Sequence, residues 1–511
     1  MFKSIKKWAA LALCLCMTAG TAMSLAENGQ PPEKPNAPAG GFTGSMPGQP
    51  PEGAPGQPPE GMPGQPPADG MGGPGGMPGG GSSKPESYDA VNTYDSDAAV
   101  TGETIASTGT DENAVWVTGG DVSLQDAVIT RESADSTGGD SASFYGVGAA
   151  VLTTGGVVTV DGSEITTDAK GGAGVFAYGD GTAVVRDTVI QTRQDTSGGI
   201  HVAGGGTLLA SNLTVTTQGG SSAAIRSDRG SGTMIVDGGS YTSNGSGSPA
   251  VYVTADITVH GADLVANGSE ALCLEGLNTV RLYDCVLTGS MPDQEQNDNT
   301  WTVILYQSMS GDAEKGKGRF EMVGGGLVST NGGLFYTTNT ESEFVLSGVA
   351  VESAEDCEYF LRCTGNMNAR GWGRTGENGA DCTFTGIAQE MKGDVIWDSV
   401  SQLDLYLTEG SVLTGAVLDD ESCAGEGGDG TCTLVIDETS SWVVTGNSVL
   451  TRLCCQGTIA DDAGLSVTIK TPDGTVIAAG ESPYTITVTD YEAAVDLSGA
   501  GVAGEWSGMT I

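Results

Sequence analysis

The stretch VVTVDGSEITT at residues 157–167 consists of two short segments of alternating apolar and polar residues, joined by a corner that contains glycine. Alternation with a period of two places the apolar side chains on one face of a β-strand, and glycine accepts a sharp backbone turn. Related stretches recur along the chain: TLLASNLTVTT (207–217), TMIVDGGSYTS (233–243) and DITVHGADLVA (256–266). The sequence therefore predicts a repeated unit of short strands and tight corners.

The repeat has a period near 24 residues: when each unit is aligned on Val160, most spacings are 23–29 residues and three are 36–40. The aligned residues are Leu124, Val160, Val185, Ala210, Val236, Val259, Leu282, Met322, Leu346, Phe384, Leu407 and Ile436. Such a period is typical of a solenoid with inserts, in which each coil buries its apolar side only against its neighbours. We predict an all-β chain that forms a single-stranded right-handed parallel β-helix of about 12 coils. A left-handed hexapeptide helix and an array of β-sandwiches fit this spacing less well.

The N-terminal part predicts export. Residues 1–26 place three lysines before a short apolar run and end on Ser24 and Ala26, which is the pattern of a secretory signal peptide. Residues 27–95 hold 16 of the 20 prolines, a composition that cannot form a core and predicts a disordered Pro/Gly/Met-rich spacer. We assign 96–460 to the β-helix and 461–511 to a C-terminal β cap. The protein is expected to be secreted, with attachment to a cell surface as an option.

The net charge of the chain limits the kinds of molecule that it can bind. Without Lys3, Lys6 and Lys7 of the signal peptide, 18 basic residues face 64 acidic ones, a formal balance of 18 − 64 = −46. This charge repels nucleic acid and favours divalent cations. No later segment reaches the run of about 18 apolar residues that a membrane-spanning helix needs. We expect a monomer that neither binds nucleic acid nor spans a membrane.

Nine cysteines follow the signal peptide. Cys363 and Cys382 bracket one Gly-rich loop, and Cys423 and Cys432 bracket another, so either pair could form a disulfide in an oxidising compartment. The odd number leaves at least one thiol free or paired outside the chain. The sequence contains no CxxC and only two histidines, so nothing predicts a zinc site.

The coil pattern over about 110–460, with the Pro/Gly/Met-rich segment before it, resembles exported bacterial proteins with a right-handed parallel β-helix of the pectate-lyase-like fold. Many members of that group are described as adhesin-like or carbohydrate-binding. The resemblance implies a non-catalytic binding protein.

Catalytic members of the same fold, the polygalacturonases, carry Asn-Thr-Asp, Asp-Asp, Gly-His-Gly and Arg-Ile-Lys segments. This chain has only the isolated pairs Asp419–Asp420 and Asp461–Asp462, and GGIHVAGG around His201 lacks the Gly-His-Gly order. We therefore predict no catalytic residues and no required cofactor. Acidic turns such as VDGSE (160–164) could bind Ca²⁺ weakly.

Two long inserts carry the candidate site, one over 308–318 and one over 364–381. Only the short coil of Leu346 separates them, so both should project from one side and flank a shallow groove. Basic and aromatic residues gather there in an acidic protein: Lys315, Lys317, Arg319, Arg370, Trp372 and Arg374. We expect an exposed Trp372 ring to stack on sugar while the cations bind hydroxyls or uronic acids.

Taken together, these features predict a secreted or cell-surface adhesin-like or carbohydrate-binding module without catalysis, with a polysaccharide or a cell-surface glycan as its partner. A polysaccharide lyase or glycoside hydrolase of the same fold is the first alternative. A structural cell-surface spacer is the second.

Overall fold

The computed structural model describes residues 83–509; the predicted signal peptide and most of the predicted spacer lie outside this range. The first strands are β1 Ala90–Tyr94, β2 Ala98–Thr101, β3 Thr104–Ser107, β4 Asn113–Val117, β5 Asp121–Gln125, β6 Val128–Ser133, β7 Val151–Thr153, β8 Val157–Asp161, β9 Glu164–Ala169, β10 Val175–Tyr178, β11 Thr182–Arg186, β12 Val189–Thr192, β13 Ile200–Ala203, β14 Gly206–Thr217, β15 Ile225–Ser227 and β16 Gly232–Ser243. One α-helix, α1 (Gly139–Tyr145), lies between β6 and β7.

The central strands are β17 Val251–Val253, β18 Asp256–His260, β19 Asp263–Ala266, β20 Leu272–Glu275, β21 Thr279–Tyr283, β22 Val286–Gly289, β23 Trp301–Tyr306, β24 Lys317–Val323, β25 Gly326–Ser329, β26 Gly333–Thr338, β27 Glu341–Ser347 and β28 Ala350–Glu352. The last strands are β29 Leu361–Cys363, β30 Asp381–Ile387, β31 Glu390–Lys392, β32 Val395–Trp397, β33 Gln402–Thr408, β34 Val412–Gly415, β35 Val417–Asp419, β36 Thr431–Ile436, β37 Ser441–Val444, β38 Ser448–Cys455, β39 Thr458–Asp461, β40 Thr468–Lys470, β41 Val476–Ala478 and β42 Thr485–Glu492. A short 3₁₀ turn spans Glu421–Cys423.

Within residues 83–509 the strands form a 13-stranded sheet, a 25-stranded sheet and a 4-stranded sheet. The 13-stranded sheet takes one strand from each turn of the chain, in the order β1, β4, β7, β10, β13, β15, β17, β20, β23, β26, β29, β32 and β35. Nearly all pairings are parallel, and each strand pairs with its equivalent one turn before and one turn after; the hairpin of β40 and β41 is antiparallel. The predicted all-β class and parallel stacking are confirmed, and the arrangement is consistent with a β-helical solenoid.

The register follows the predicted alignment over most of the chain. Val160 pairs with Leu124 and Val185, and the column continues to Met322 and Leu346. The prediction is wrong at the next position, because Leu346 pairs with Gly386 and not with Phe384. Residues two apart in a strand face the same side, so the apolar pattern alone could not exclude Phe384. A Cβ at residue 386 would lie 2.9 Å from the Met391 methyl carbon, which occupies that space.

The corner between the second and third strands of a coil is left-handed. The φ angles there are positive, with values of 59° at Gly162, 61° at Gly261 and 48° at Ala388. Aspartate and asparagine occupy equivalent corners, as at Asp187 and Asn212, since their short polar side chains tolerate this conformation. The requirement for a left-handed conformation explains why Gly, Asp or Asn recurs between the strands of the repeat.

The core lies between the sheets and changes along the chain. Aliphatic residues such as Val158, Val185 and Leu208 fill the early coils without solvent exposure. In the later coils five phenylalanine rings pack together at centroid distances of 5.4–6.1 Å. They are Phe320, Phe335, Phe344, Phe360 and Phe384.

Strands extend beyond the predicted boundary of the β-helix. Strand β1 begins at Ala90 and pairs with β4, so residues 90–94, which we assigned to the spacer, form part of the first coil. At the other end β42 pairs with β38 and β40. Residues 493–509 follow as a segment without strands, which we call the C-terminal arm. No helix within residues 83–509 is long and apolar enough to cross a membrane.

The nine cysteines are free thiols in the structure. Cys363 and Cys382 both lie in the core, and burial, with the neighbouring Cys382 thiol, raises the pKa of Cys363. Cys432 is also a core residue, whereas Cys423 interacts with Arg362 and lies outside the main core cluster. The structure thus places the first predicted pair in one core cluster, which also holds Cys432 but not Cys423.

Candidate functional site

The outer face of the 13-stranded sheet carries a continuous column of large side chains. The column runs, in register, through Phe176, His201, Arg226, Tyr252, Cys273, Ile304, Tyr336 and Arg362. Helix α1 covers its early part, because Ser143 and Phe144 contact Arg226 and Arg229. Inserts cover the later part, and the candidate site lies beneath them.

The two predicted loops project at the same corner. Residues 307–316 connect β23 to β24, and 364–380 connect β29 to β30, so both lead from the 13-stranded to the 25-stranded sheet. One coil, formed by β26 and β27, separates them, as predicted. A third insert, 290–300, precedes β23 at the opposite end of that strand. The sequence NDNTW (297–301), which contains two asparagines, is the local signal of this insert.

The environment of Trp372 differs from the prediction: its side chain is buried, with 6 % exposure. The 364–380 loop folds back over the sheet, so the ring packs 4.5 Å from Tyr306 and 6.1 Å from Trp301, measured between centroids. Tyr336 and Met291 belong to the same cluster. The ring is part of a buried aromatic cluster and is not exposed for stacking on a sugar.

A narrow cleft lies beside Trp372. Its lining residues are Gln296, Asn297, Asp298, Trp301, Tyr336, Asn366, Ala369, Arg370 and Trp372. The space open to the centre of a water molecule is about 10 Å³, enough for a single water. Arg370 closes the cleft: its guanidinium lies 5.6 Å from the Trp372 ring centroid, its Nε donates to Asn297 Oδ1, and its Nη2 donates to Gln294 Oε1 at 3.3 Å.

Donors that line the cleft lack acceptors. Trp301 Nε1, Trp372 Nε1 and Asn297 Nδ2 are buried and have no hydrogen-bond partner within the part of the chain that the structure describes. An unsatisfied buried donor costs about 1–3 kcal/mol. A molecule that brings several acceptor oxygens into the cleft would relieve this penalty, provided that Arg370 moves.

The loop beneath Arg370 is held by paired amides. Asn378 Nδ2 donates to the Trp372 carbonyl at 2.9 Å, and Asn366 Nδ2 donates to the same carbonyl at 3.2 Å. The Asn366 N–H donates to Asn378 Oδ1 at 3.2 Å. These bonds fix the loop backbone beneath the Arg370 side chain.

A second cavity of about 160 Å³ lies between the 307–316 loop and the corner that joins β26 to β27. Its lining residues are Gln307, Met309, Lys315, Gly316, Asn339, Thr340 and Glu341. The 364–380 loop passes over Asn339, since a Cβ on Gly373 would lie 2.6 Å from Asn339 Oδ1. Lys315 therefore lines a cavity beside the 307–316 loop, whereas Arg370 and Trp372 line the separate aromatic cleft.

The other predicted cations are dispersed. Lys317 is exposed and pairs in register with Glu341. Arg319 is engaged by Glu321 at 2.8 Å and Glu343 at 2.7 Å, and these carboxylates raise its pKa against the lowering effect of burial. Arg374 is 81 % exposed and lies 3.7 Å from Glu377. Of the six predicted site residues, only Arg370 and Trp372 line the aromatic cleft.

Behind the 307–316 loop, Glu275 is fully buried. It accepts hydrogen bonds from Ser308, from Tyr306 at 3.2 Å and from Tyr252 at 3.3 Å. Burial raises the pKa of Glu275 in spite of these donors. The carboxyl anchors the loop from within and does not line either cavity.

The pKa values of the first predicted acidic pair, Asp419 and Asp420, are shifted in opposite directions. Burial and the neighbouring Glu421 carboxyl raise the pKa of Asp419 to about 6. Asp420 lies 2.9 Å from Arg362, and this guanidinium together with Ser422 lowers the pKa of Asp420, although burial acts in the opposite direction.

The second predicted pair has a structural role. Asp461 Oδ1 accepts from the N–H groups of Ala463 at 3.1 Å and Leu465 at 2.7 Å, which fixes a turn. Among residues 83–509, no group of three or more His, Cys, Asp or Glu side chains is placed to hold a metal ion. Weak calcium binding stays a prediction.

His201 lies at the other end of the covered face. It is buried, and its Nε2 is 3.4 Å from Asp228 Oδ2, which also lies 2.8 Å from Arg226 Nη2. Burial lowers the pKa of His201 to about 4, so the ring is neutral near pH 7. His260, by contrast, is partly exposed and bonds to Asp237 at 2.7 Å.

Comparison with protein-family models gives no match for this chain, and comparison with curated proteins gives none either. The assignment of function therefore depends on the geometry described above.

Proposed function

We propose that the chain is an exported, cell-surface-associated adhesin-like protein that binds a glycan through the loop-covered face of a right-handed β-helix of about 12 coils. The observation that supports this function best is the set of unpaired donors around the cleft of Trp301, Arg370 and Trp372. Carbohydrate sites combine aromatic surface with a few convergent polar groups.

The chemistry of the cleft favours an acidic sugar. Its free donors are two indole N–H groups and one amide, and Arg370 at the mouth carries a positive charge. A carboxylate offers several acceptor sites and pairs with a guanidinium. The larger cavity with Lys315 and Glu341 lies beside the neighbouring 307–316 loop and offers space for a further sugar unit.

The test replaces the residue that closes the cleft. Arg370→Ala should weaken binding to acidic polysaccharides by about tenfold or more, because a charge-assisted contact is lost. Arg374→Ala is the matched control, since it removes an exposed arginine of the same loop. The measurement is retention on polysaccharide columns and a glycan array, with and without Ca²⁺.

The two variants separate the outcomes. Loss of retention in Arg370→Ala alone supports the cleft. Equal retention of both variants, or a wild-type chain that no glycan retains, contradicts the proposal.

A lyase or hydrolase is the second candidate, and one observation favours it. Asp419 shares a hydrogen bond with Glu421 and has its pKa raised to about 6, next to Asp420 and Arg362. A carboxyl that titrates near neutral pH can serve as a general acid. Incubation with polysaccharides, followed by assays for unsaturated products and new reducing ends, tests this activity. Activity that disappears in Asp419→Asn would establish it, and inactivity of the wild type on all substrates would exclude it for them.

A further inference from the structure

The C-terminal arm lies along the outer face of the 25-stranded sheet. Val495 and Ala500 pack against Tyr406, Val435 and Cys454. The arm then runs back over successively earlier strands until Trp506 stacks on His260, with a centroid distance of 4.7 Å and an interplanar angle of 5°. It thus crosses the strands from β38 to β18 without pairing with any of them.

Side chains of the sheet bind the arm backbone directly. The Gly501 N–H donates to Thr385 Oγ1 at 2.8 Å, and the Gly504 N–H donates to Glu321 Oε1 at 2.7 Å. Arg319 Nη2 donates to the Val502 carbonyl at 2.7 Å. These contacts come from β24 and β30, which lie two coils apart, so the sheet holds the arm backbone over residues 501–504.

The fit requires particular arm residues. A Cβ on Gly499 would lie 2.3 Å from Tyr406 Oη, and one on Gly501 would lie 2.6 Å from Val345 Cγ2. A Cβ on Gly504 would lie 2.8 Å from Tyr283 Oη. The face therefore selects glycine at three positions and an aromatic ring at a fourth, which is sequence-specific peptide recognition.

We infer that this face is a peptide-binding groove and that its partner in an intermolecular contact is the arm of a second copy of this chain. The contacts join only the arm and the groove, so an arm from another copy reproduces all of them. The segment that connects the arm to β42 is mostly exposed, at Ala493, Ala494 and residues 496–499. It contains a turn in which the Ser498 N–H donates to Asp496 Oδ1 at 2.9 Å. Reversal of the chain at this turn lets the arm cross to the other copy and gives a closed two-fold exchange in which both grooves are filled.

The strong negative charge opposes this contact at long range, and salt screens the repulsion. Exchange should therefore increase with ionic strength, in contrast to binding that depends on opposite charges.

The test uses two full-length variants. The acceptor carries Gly501→Val and Trp506→Ala, which disable its own arm, and the donor carries Val345→Trp, which blocks its own groove. Mixed at high salt, they should form a 1:1 complex in sedimentation equilibrium, whereas neither should associate alone. A chain with all three substitutions is the control and should not bind the acceptor.

A labelled peptide of residues 495–509 tests the groove separately. It should bind the acceptor variant with a Kd on the order of 100 μM, and the Trp506→Ala peptide should bind at least about fivefold more weakly because the aromatic stack is lost. If the acceptor variant does not fold, a protease site between Ala493 and Ala494 of the otherwise unchanged chain allows the arm to be cut after folding, and the labelled peptide should then exchange with it. Peptide binding without a mixed complex would overturn the second copy as partner. Failure of the peptide to bind or exchange would overturn the groove.

Discussion

Helix α1 and the 364–380 loop cover two parts of the same sheet face, but the polar groups beneath them differ. Under α1, Arg226 is paired with Asp228 at 2.8 Å and also donates to Ser143 at 2.9 Å. Under the loop, the indole N–H groups of Trp301 and Trp372 have no acceptor. The first cover closes over an ion pair, although both ring nitrogens of the adjacent His201 also lack a hydrogen-bond partner within residues 83–509, whereas the second closes over neutral donors without an acceptor there. Burial alone therefore does not distinguish a structural cluster from a binding site; the difference is that charges beneath α1 pair with each other.

Removal of one charge beneath α1 should have the largest effect. Asp228→Ala leaves the Arg226 guanidinium buried without its carboxylate, and the free energy of unfolding should fall by about 3–5 kcal/mol. Denaturant titration measures it. Glu377→Ala, at the exposed pair with Arg374, should change stability by less than about 0.5 kcal/mol. Similar values for the two variants would show that the α1 cluster is not a closed ionic structure.

The pH dependence should reveal the same cluster. His201 has a folded pKa of about 4, and the unfolded value is about 6.5. Between these values the unfolded chain binds the proton more readily, so stability present above pH 6.5 is lost as the pH falls toward 4, by roughly 3 kcal/mol. Since many carboxylates also titrate in acid, the informative quantity is the difference between the wild type and His201→Gln. An identical pH dependence of the two proteins would contradict the assigned neutral histidine.

The smallest expected effect on stability concerns buried indole rings, of which one has a hydrogen-bond acceptor for its N–H and the other has none. Trp372→Phe removes an N–H without an acceptor and should change stability by less than about 1 kcal/mol, while it weakens glycan retention. Trp442 is also buried, but its Nε1 donates to the Gly415 carbonyl at 2.9 Å, so Trp442→Phe should cost about 1–3 kcal/mol. Thermal and chemical denaturation of both variants provide the comparison. Equal losses would mean that Trp372 Nε1 has an acceptor after all.

The fold could be predicted because its determinants are local. Each unit of about 24 residues shows its strands as alternating apolar residues and its left-handed corners as Gly, Asp or Asn. The register of Val160, Val259 and Met322 follows from this pattern. The pattern failed at Gly386, where the residue in the core column has no side chain to mark it.

The site was less predictable because it depends on contacts between distant segments. The sequence placed the two loops at one corner and identified Arg370 and Trp372. It could not show that the 290–300 insert supplies Asn297 and the opposite wall, since no periodicity relates that insert to residue 372. For the same reason His201 gave no sign that α1 would bury it.

The C-terminal arm has a further consequence for unfolding. Solenoids lose structure coil by coil, because each repeat contacts only its neighbours. Here a single segment fastens Tyr406, Thr385, Glu321 and His260, which are spread over the six successive coils from β18 to β33. Unfolding from the C-terminal end must detach the arm first. The coils that the arm contacts should therefore unfold in one cooperative transition. The coils before β18 should unfold one after another, as in a simple repeat array.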